Sequence, residues 1–351
     1  MKLFACDHCG NTIYFENTLC ERCGHQLGYA PEHNGLVSLV EDGGLWSSPA
    51  IHDESFVFCA NEPLGACNWL IPADPAGEIY CVACRHNETI PSIASAHNLN
   101  HWQVIERAKK RLFYSLLRLK LPLETRLENP VHGLSFRFLE DRPATVPPVM
   151  TGHDSGIITI ALAEADDATR EARRTALGEP YRTLLGHFRH EIGHHYWDLL
   201  VANSPNLAPC RDLFGDETVD YGMALQSYYA NGAPAGWPQT HISAYATAHP
   251  WEDFAETWAH YLHITDTLEM AVEFGVRATP RVDDDGSHAV RIDSDAFGAS
   301  SIEHIVDNWI PLAALLNNLN RTMGLPDAYP FILTPRVIEK LGFVHALVHG
   351  R

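Results

Sequence analysis

A chain of 351 residues that is 46% hydrophobic has enough apolar material for a real core, and its length favours two units over one. Its formal charge of −19 excludes a general affinity for nucleic acid or an anionic membrane, because neither polyanion gains by meeting such a surface. No apolar run approaches the roughly 18 residues of a membrane span, and cysteines begin at once where a secretory signal would stand, so the expectation is a cytoplasmic protein whose reduced thiols are free to bind metal.

The cysteines come early: eight of the nine precede residue 85. The first four read Cys6-x2-Cys9-x10-Cys20-x2-Cys23. Two such knuckles form a tetrahedral thiolate cage for zinc, and each is followed by a glycine suited to a tight turn, Gly10 and Gly24. The second set, Cys59, Cys67, Cys81 and Cys84, has one knuckle and two single cysteines; it reads as a second four-thiolate site, with His52 or His86 as replacement ligands. Four thiolates leave no open position for water, so both zincs are expected to be structural. With many Gly, Pro and Asn, residues 1–94 have little apolar surface, and the metals should supply much of their folding free energy.

Residues 95–128 read as a connecting helix. Ile105, Leu112, Leu116 and Leu119 recur at helical spacing, and the basic residues between Glu106 and Arg126 read as an ordinary solvated face. Leu134 to Phe138 and Gly156 to Leu162 are apolar or alternating and predict a small sheet ahead of the next helix.

That helix carries His190-Glu191-Ile192-Gly193-His194, the zincin form H-E-x-x-H. Residues four apart lie one turn above each other, so His190 and His194 can hold one zinc while Glu191 handles a proton. Pro180 suits the first turn, and Tyr181, Leu184, Leu185, Phe188, Ile192, His195 and Leu199 form an apolar stripe nearly opposite the two histidines. Asp198, one turn beyond His194, is a candidate for supporting the site from behind. A metzincin would continue with Gly and a third ligand where Trp197 and Leu200 stand, so that class is excluded. In zincins an edge strand holds the substrate in extended form, and Ile157 to Ala161 is the candidate. Cys210 reads as a small buried hydrophobe. An aspzincin-like string, Gly215 to Gly222, has Thr218 at the ligand position and carries little weight.

A second helix is expected after Pro250. Glu252 and Glu256 lie one turn apart and face away from Phe254, Trp258, Tyr261 and Leu262, and Asp253 suits a helix N-terminus. This resembles the gluzincins, in which a glutamate on a second helix is the third zinc ligand and an acidic residue four positions later orients a ligand histidine; by that match Glu252 binds zinc and Glu256 supports a histidine. Glu256 as the direct ligand is the rival. Tyr245, seven residues before Glu252, stands where lethal-factor-type gluzincins place a tyrosine that hydrogen-bonds the developing oxyanion. Farther on, Asp283-Asp284-Asp285-Gly286 reads as a solvated turn and Ser301 to Leu319 as a helix.

The whole chain resembles a bacterial family of zinc-binding metallopeptidases with an N-terminal zinc-ribbon domain. The resemblance rests on Cys67-Asn68-Trp69-Leu70, Cys81-Val82-Ala83-Cys84-Arg85, Tyr181 through Glu191, and His249 through Glu256. The expected fold is α+β: a zinc-ribbon region over 1–94, the connecting helix over 95–128, and a mainly helical, zincin-like domain with a small sheet over 129–351. The expected activity is zinc-dependent peptide hydrolysis with one catalytic and two structural Zn2+, Glu191 as general base and Tyr245 on the oxyanion. The expected partners are a peptide or protein substrate and a protein docking on the ribbons, with neither nucleic acid nor membrane. The alternative is a binding module that uses the ribbons and keeps the zincin part as a non-catalytic scaffold.

Overall fold

The structure, a computed structural model, describes residues 2–73, 77–140, 149–177, 182–282, 286 and 289–350. Pro180, Tyr181 and the acidic residues 283–285 lie outside the described residues, and with them the expected Pro180 helix start and most of the expected acidic turn. In chain order the elements are β1 (Phe4–Ala5), β2 (Thr12–Ile13), β3 (Gln26–Ala30), β4 (Gly35–Asp42), β5 (Leu45–Ser48), β6 (Ile51–Phe58), β7 (Leu70–Pro72), β8 (Asn87–Thr89), α1 (Ala96–Arg118), β9 (Ser135–Leu139), β10 (Gly152–Asp154), β11 (Ile157–Ala161), α2 (Asp167–Leu177), α3 (Leu184–Leu200), α4 (Leu207–Phe214), α5 (Tyr221–Asn231), α6 (Pro250–Glu273), β12 (Arg277–Ala278), β13 (Val290–Arg291), α7 (Ile302–Thr322) and α8 (Pro335–Val348). The α+β class is as expected: strands and cysteines first, helices after. The chain divides into two compact units, Met1–Arg170 and Glu171–Arg351. No helix among the described residues is long and apolar enough to cross a membrane.

In the first unit, β1 and β2 form a small hairpin and β3 to β7 a five-stranded antiparallel meander. Ala30, Val37, Leu39, Ile51, Phe56 and Leu70 pack together inside the meander, and Phe15, Tyr29, Trp69 and Tyr114 form a second cluster of rings 4.8–6.5 Å apart. The N-terminal region therefore buries more apolar surface than its composition suggested. The inner part of β3 and β4 is buried on both faces, with Tyr29 and Trp69 in the ring cluster and their neighbours Ala30 and Leu70 in the other, which a count of Gly and Pro does not register.

Helix α1 begins at Ser95, whose hydroxyl accepts from the Asn98 amide, and buries Trp102, Ile105, Leu112, Phe113 and Leu116. The solvated basic face expected here holds for the exposed Arg107 and Lys120 and is corrected at Lys109 and Lys110. Glu106, Lys109 and Lys110 are all buried, with Lys109 Nζ 2.8 Å and Lys110 Nζ 2.9 Å from the two oxygens of Glu106. Lys109 also lies 5.6 and 5.4 Å from the rings of Phe136 and Phe138. Spacings of three and four residues suit an exposed ion pair and a buried one equally, so only packing could decide.

The four-stranded sheet runs β10-β11-β9-β8, with β11 parallel to β9 and antiparallel to β10. Ile157 to Ala161 is thus an inner strand, which corrects its assignment as the edge. The flanking strand is only three residues long and returns through Ser155 (φ 50°) and Gly156 (φ 84°), a two-residue turn with both φ positive.

In the second unit, α3 begins after Thr183, the N-cap, whose hydroxyl accepts from the Gly186 amide at 2.9 Å. Helix α6 is capped by His249, whose Nδ1 accepts from the Trp251 amide, with Pro250 in the first turn. The two helices pack closely at Gly193, where an added Cβ would lie 3.0 Å from Ala255 Cα and 3.1 Å from Trp258 Cβ. Helix α6 is covered on several sides, not on one face alone. Phe254, Trp258, Tyr261 and Leu262 are buried, but so are Glu252 and Asp253. Asp253, expected to serve the helix dipole, also receives a 2.5 Å contact from the buried Lys340 of α8. Helix α7 begins after the Ser301 cap, as its periodicity predicted.

Candidate metal centres and active site

Packing α3 against α6 brings three donor atoms together. His190 Nε2 lies 3.2 Å from His194 Nε2 and 2.9 Å from Glu252 Oε2, and His194 Nε2 lies 3.5 Å from that same oxygen. A tetrahedral ion with bonds of about 2.05 Å requires ligand atoms about 3.3 Å apart, so the triangle has the size that zinc demands. Glu252 Oε2 is buried, and among the described residues it faces the two imidazole nitrogens without any other hydrogen-bond partner. A carboxylate oxygen in that condition, facing two imidazole nitrogens, is unfavourable without a cation and fits one well.

The outer partners set the orientation. Glu256 Oε1 accepts from His190 Nδ1 at 2.7 Å, and its Oε2 accepts from the Ser243 hydroxyl at 2.6 Å. Glu252, not Glu256, shares the triangle. The Tyr221 hydroxyl donates to Glu252 Oε1 at 2.6 Å, and the Trp251 ring lies 3.9 Å from the His194 ring. Burial by itself would depress the His190 imidazole, but the Glu252 and Glu256 carboxylates outweigh it and hold the ring well above the ordinary range. Burial likewise works against ionising Glu252, and the two histidines override it, so its carboxyl sits well below the usual value.

Glu191 is buried beside the triangle, and desolvation raises its carboxyl above the usual range against the pull of His190 and His194. Tyr245 is half-buried, its ring 5.9 Å from that of His190, and burial drives its phenol upward. Asp198 is half-buried on α3, one turn past His194. Cys210 is buried, and desolvation pushes its thiol up to about 12, which makes it a poor nucleophile.

Both cysteine sets converge. Cys6, Cys9, Cys20 and Cys23 form one group and Cys59, Cys67, Cys81 and Cys84 the other. Sulfurs bound to one zinc at about 2.3 Å sit about 3.8 Å apart. The separations Cys6–Cys23, Cys9–Cys20 and Cys67–Cys81 are each 3.7 Å, matching that edge and far beyond a disulfide. Gly10 (φ 71°) and Gly24 (φ 74°) donate to the carbonyls of Cys6 and Cys20, closing the two turns. The Cys23 amide holds the Cys20 thiol down at about 6. His86 is not part of the second group: it is buried with Nδ1 2.9 Å from the Leu134 carbonyl, and desolvation lowers it to about 4. His52 is exposed and also outside the group.

Two functional contacts escaped the sequence reading. Tyr221 figured only in the aspzincin-like string, and Ser243 not at all. A local signal existed for the first: Asp220 before an apolar run is a helix N-cap, and its side chain accepts from the Met223 amide at 2.8 Å, which fixes where Tyr221 begins α5. Nothing local pointed to Ser243.

A family model described as "Putative zinc-binding metallo-peptidase" matches residues 98–347, and one described as "zinc-ribbon domain" matches residues 3–95. An uncharacterized protein of Mycobacterium tuberculosis (strain ATCC 25618 / H37Rv) is 41% identical over 349 residues, covering 99% of this chain and 95% of its own length. An uncharacterized protein of Mycobacterium bovis matches at the same identity and coverage. No solved structure matches the chain.

Proposed function

The chain belongs to this zinc-binding metallo-peptidase family, and we propose that it is a zinc-dependent peptidase whose metal is held by His190, His194 and Glu252. The observation that carries the reading is the triangle of donor atoms 2.9–3.5 Å apart, with a buried carboxylate oxygen that lacks any other partner. When bound, zinc supplies Lewis acidity to a peptide carbonyl and to water. Glu191, its carboxyl raised by burial against the pull of His190 and His194, takes a proton from water and passes it to the departing amine. Tyr245 donates its phenolic hydrogen to the oxygen that gains charge in the transition state. Glu256 accepts the Nδ1 proton of His190, which keeps the Nε2 lone pair directed at the metal, and Ser243 holds Glu256 in place. Tyr221 does the same for Glu252 from the other oxygen. Asp198 is assigned a supporting role behind His194.

The two cysteine groups hold structural zinc, giving three ions in all. In function we divide the chain into a zinc-ribbon region over 1–94, a connecting helix within 95–128 and a peptidase domain over 129–351. The compact units part at Arg170, so the four-stranded sheet packs with the N-terminal unit although the peptidase family match begins at residue 98. We place the protein in the cytoplasm, where its nine free thiols stay reduced, with the ribbons available to a protein partner.

The test is zinc content and peptide hydrolysis measured together. Glu191→Gln should keep three zincs and lose hydrolysis, and Glu252→Ala should keep two. Undiminished turnover in Glu191→Gln, or three zincs in Glu252→Ala, would overturn the assignment.

A further inference from the structure

Between Asp220 and Glu252 the chain runs for 31 residues without an Asp, Glu, Lys or Arg, although 20% of all its residues are charged. An uncharged run is ordinary where the chain is buried. This one is not. Helix α5 has no buried residue, and its Met223 and Tyr229 are 71% and 62% exposed.

The exposed rings are also continuous with the donor triangle. Tyr229 lies 5.6 Å from Tyr228, Tyr228 lies 5.7 Å from Tyr245, and Tyr245 lies 5.9 Å from His190. At the other end of α5, Tyr221 lies 5.8 Å from Trp251, the ring that packs on His194. The same Tyr221 donates to Glu252, so α5 is fastened by its first residue to the third donor, and most of its remaining residues, Met223 and Tyr229 among them, are exposed. An apolar surface left open to water and leading into a reaction centre is where a ligand's side chains bind.

We propose that α5 and its tyrosines are the specificity wall of the active site, receiving an aromatic or large aliphatic side chain adjacent to the scissile bond of a peptide. Ring faces and the Met223 thioether gain from covering such a side chain. A charged side chain there would lose water and find no opposite charge along the whole run. That the ligand is a peptide rests on the peptidase reading above.

The experiment uses the full-length zinc-loaded Glu191→Gln protein and fluorescein-labelled peptides of Gly, Ala and Ser that differ at one central residue: Phe, Leu, Gly, Asp or Lys. Fluorescence anisotropy should show Phe and Leu binding at least about tenfold tighter than the other three. Tyr229→Ala, a change at an exposed position, should bring Phe to within about threefold of Gly, and Tyr229→Phe should restore the preference. Equal or unmeasurable affinity across the five peptides overturns the proposal. So does a preference that survives Tyr229→Ala, or a Tyr229→Ala change that alters oligomeric state alone, which would mean that a second copy covers α5. Hydrolysis by the wild-type protein separates the two ideas: the binding order without cleavage overturns the peptidase and leaves the wall, and cleavage without the order does the reverse.

Discussion

Glu256 Oε1 lies 2.7 Å from Nδ1 of His190, on the side of the ring opposite the donor triangle. The contact joins α6 to α3 a second time, one turn beyond Glu252, and determines which nitrogen of His190 keeps its lone pair. Replacing Glu256 by Gln keeps the shape but removes the charge that favours Nδ1 protonation. We expect catalytic zinc affinity to fall about 10- to 100-fold, read by chelator competition, with both structural zincs retained. Ser243→Ala should give a smaller loss in the same direction.

Gly193 is the point where α3 and α6 nearly touch. A methyl group there meets Ala255 Cα at 3.0 Å and Trp258 Cβ at 3.1 Å, so the facing helix must give by a few tenths of an ångström to admit it. Gly193→Ala should cost about 1–3 kcal/mol of stability by thermal melting. It should also weaken catalytic zinc binding, because the helices must part and Glu252 moves with α6. Zinc affinity equal to wild type would show that the close approach does not position the triangle.

Lys110 Nζ lies 3.0 Å from Cys84 Sγ and 2.9 Å from Glu106 Oε2, all of them buried. The three other cysteines of the group together with Lys110 hold the Cys84 thiol well below its ordinary value. Lys110→Met removes the cation and leaves Glu106 with Lys109 and the Asn87 amide as partners. Zinc should then leave the Cys59, Cys67, Cys81, Cys84 site at least about tenfold faster in a chelator-release assay, as removing an outer-shell partner of a metal site does elsewhere. The Cys6, Cys9, Cys20, Cys23 site should release at its wild-type rate and serves as the internal control.

His260 is buried, with Nδ1 2.8 Å from the Tyr329 hydroxyl, and desolvation lowers it from 6.5 to about 4. A histidine depressed in the folded state stays neutral there while the unfolded chain takes up its proton, so the stability it supports is present above pH 6.5 and is lost as pH falls toward 4. Its share is up to about 3 kcal/mol. Urea midpoints of the wild type should drop across that window. His260→Gln should start lower and slope less; an unchanged slope would place the acid sensitivity elsewhere.

The zinc-ligand chemistry was legible because it is local. Two histidines four apart on one helix, and cysteine knuckles with glycine behind them, carry their geometry in their spacing, so the sites needed no knowledge of the fold to be found. The second cysteine set was legible in number though its singles are far apart, because one C-x-x-C knuckle and two further cysteines make up the four thiolates of a tetrahedral site. Helix extents at Ser301 and after Pro250 followed from caps and periodicity.

What the chain could not declare is what depends on distance across it. The choice of Glu252 over Glu256 as the oxygen in the triangle, the grip of Tyr221 and Ser243 on the two glutamates, and the burial of Lys109 and Lys110 all follow from which faces meet, and spacing along a helix is the same whether a face is wet or covered. The inner place of Ile157 to Ala161 depended on a three-residue strand too short to show a pattern. The sequence by itself determined which atoms could bind metal. The tertiary structure decided which of them face one another, because a metal site is a set of distances of a few ångströms between residues up to 62 positions apart, and those distances are set only when α3 and α6 pack.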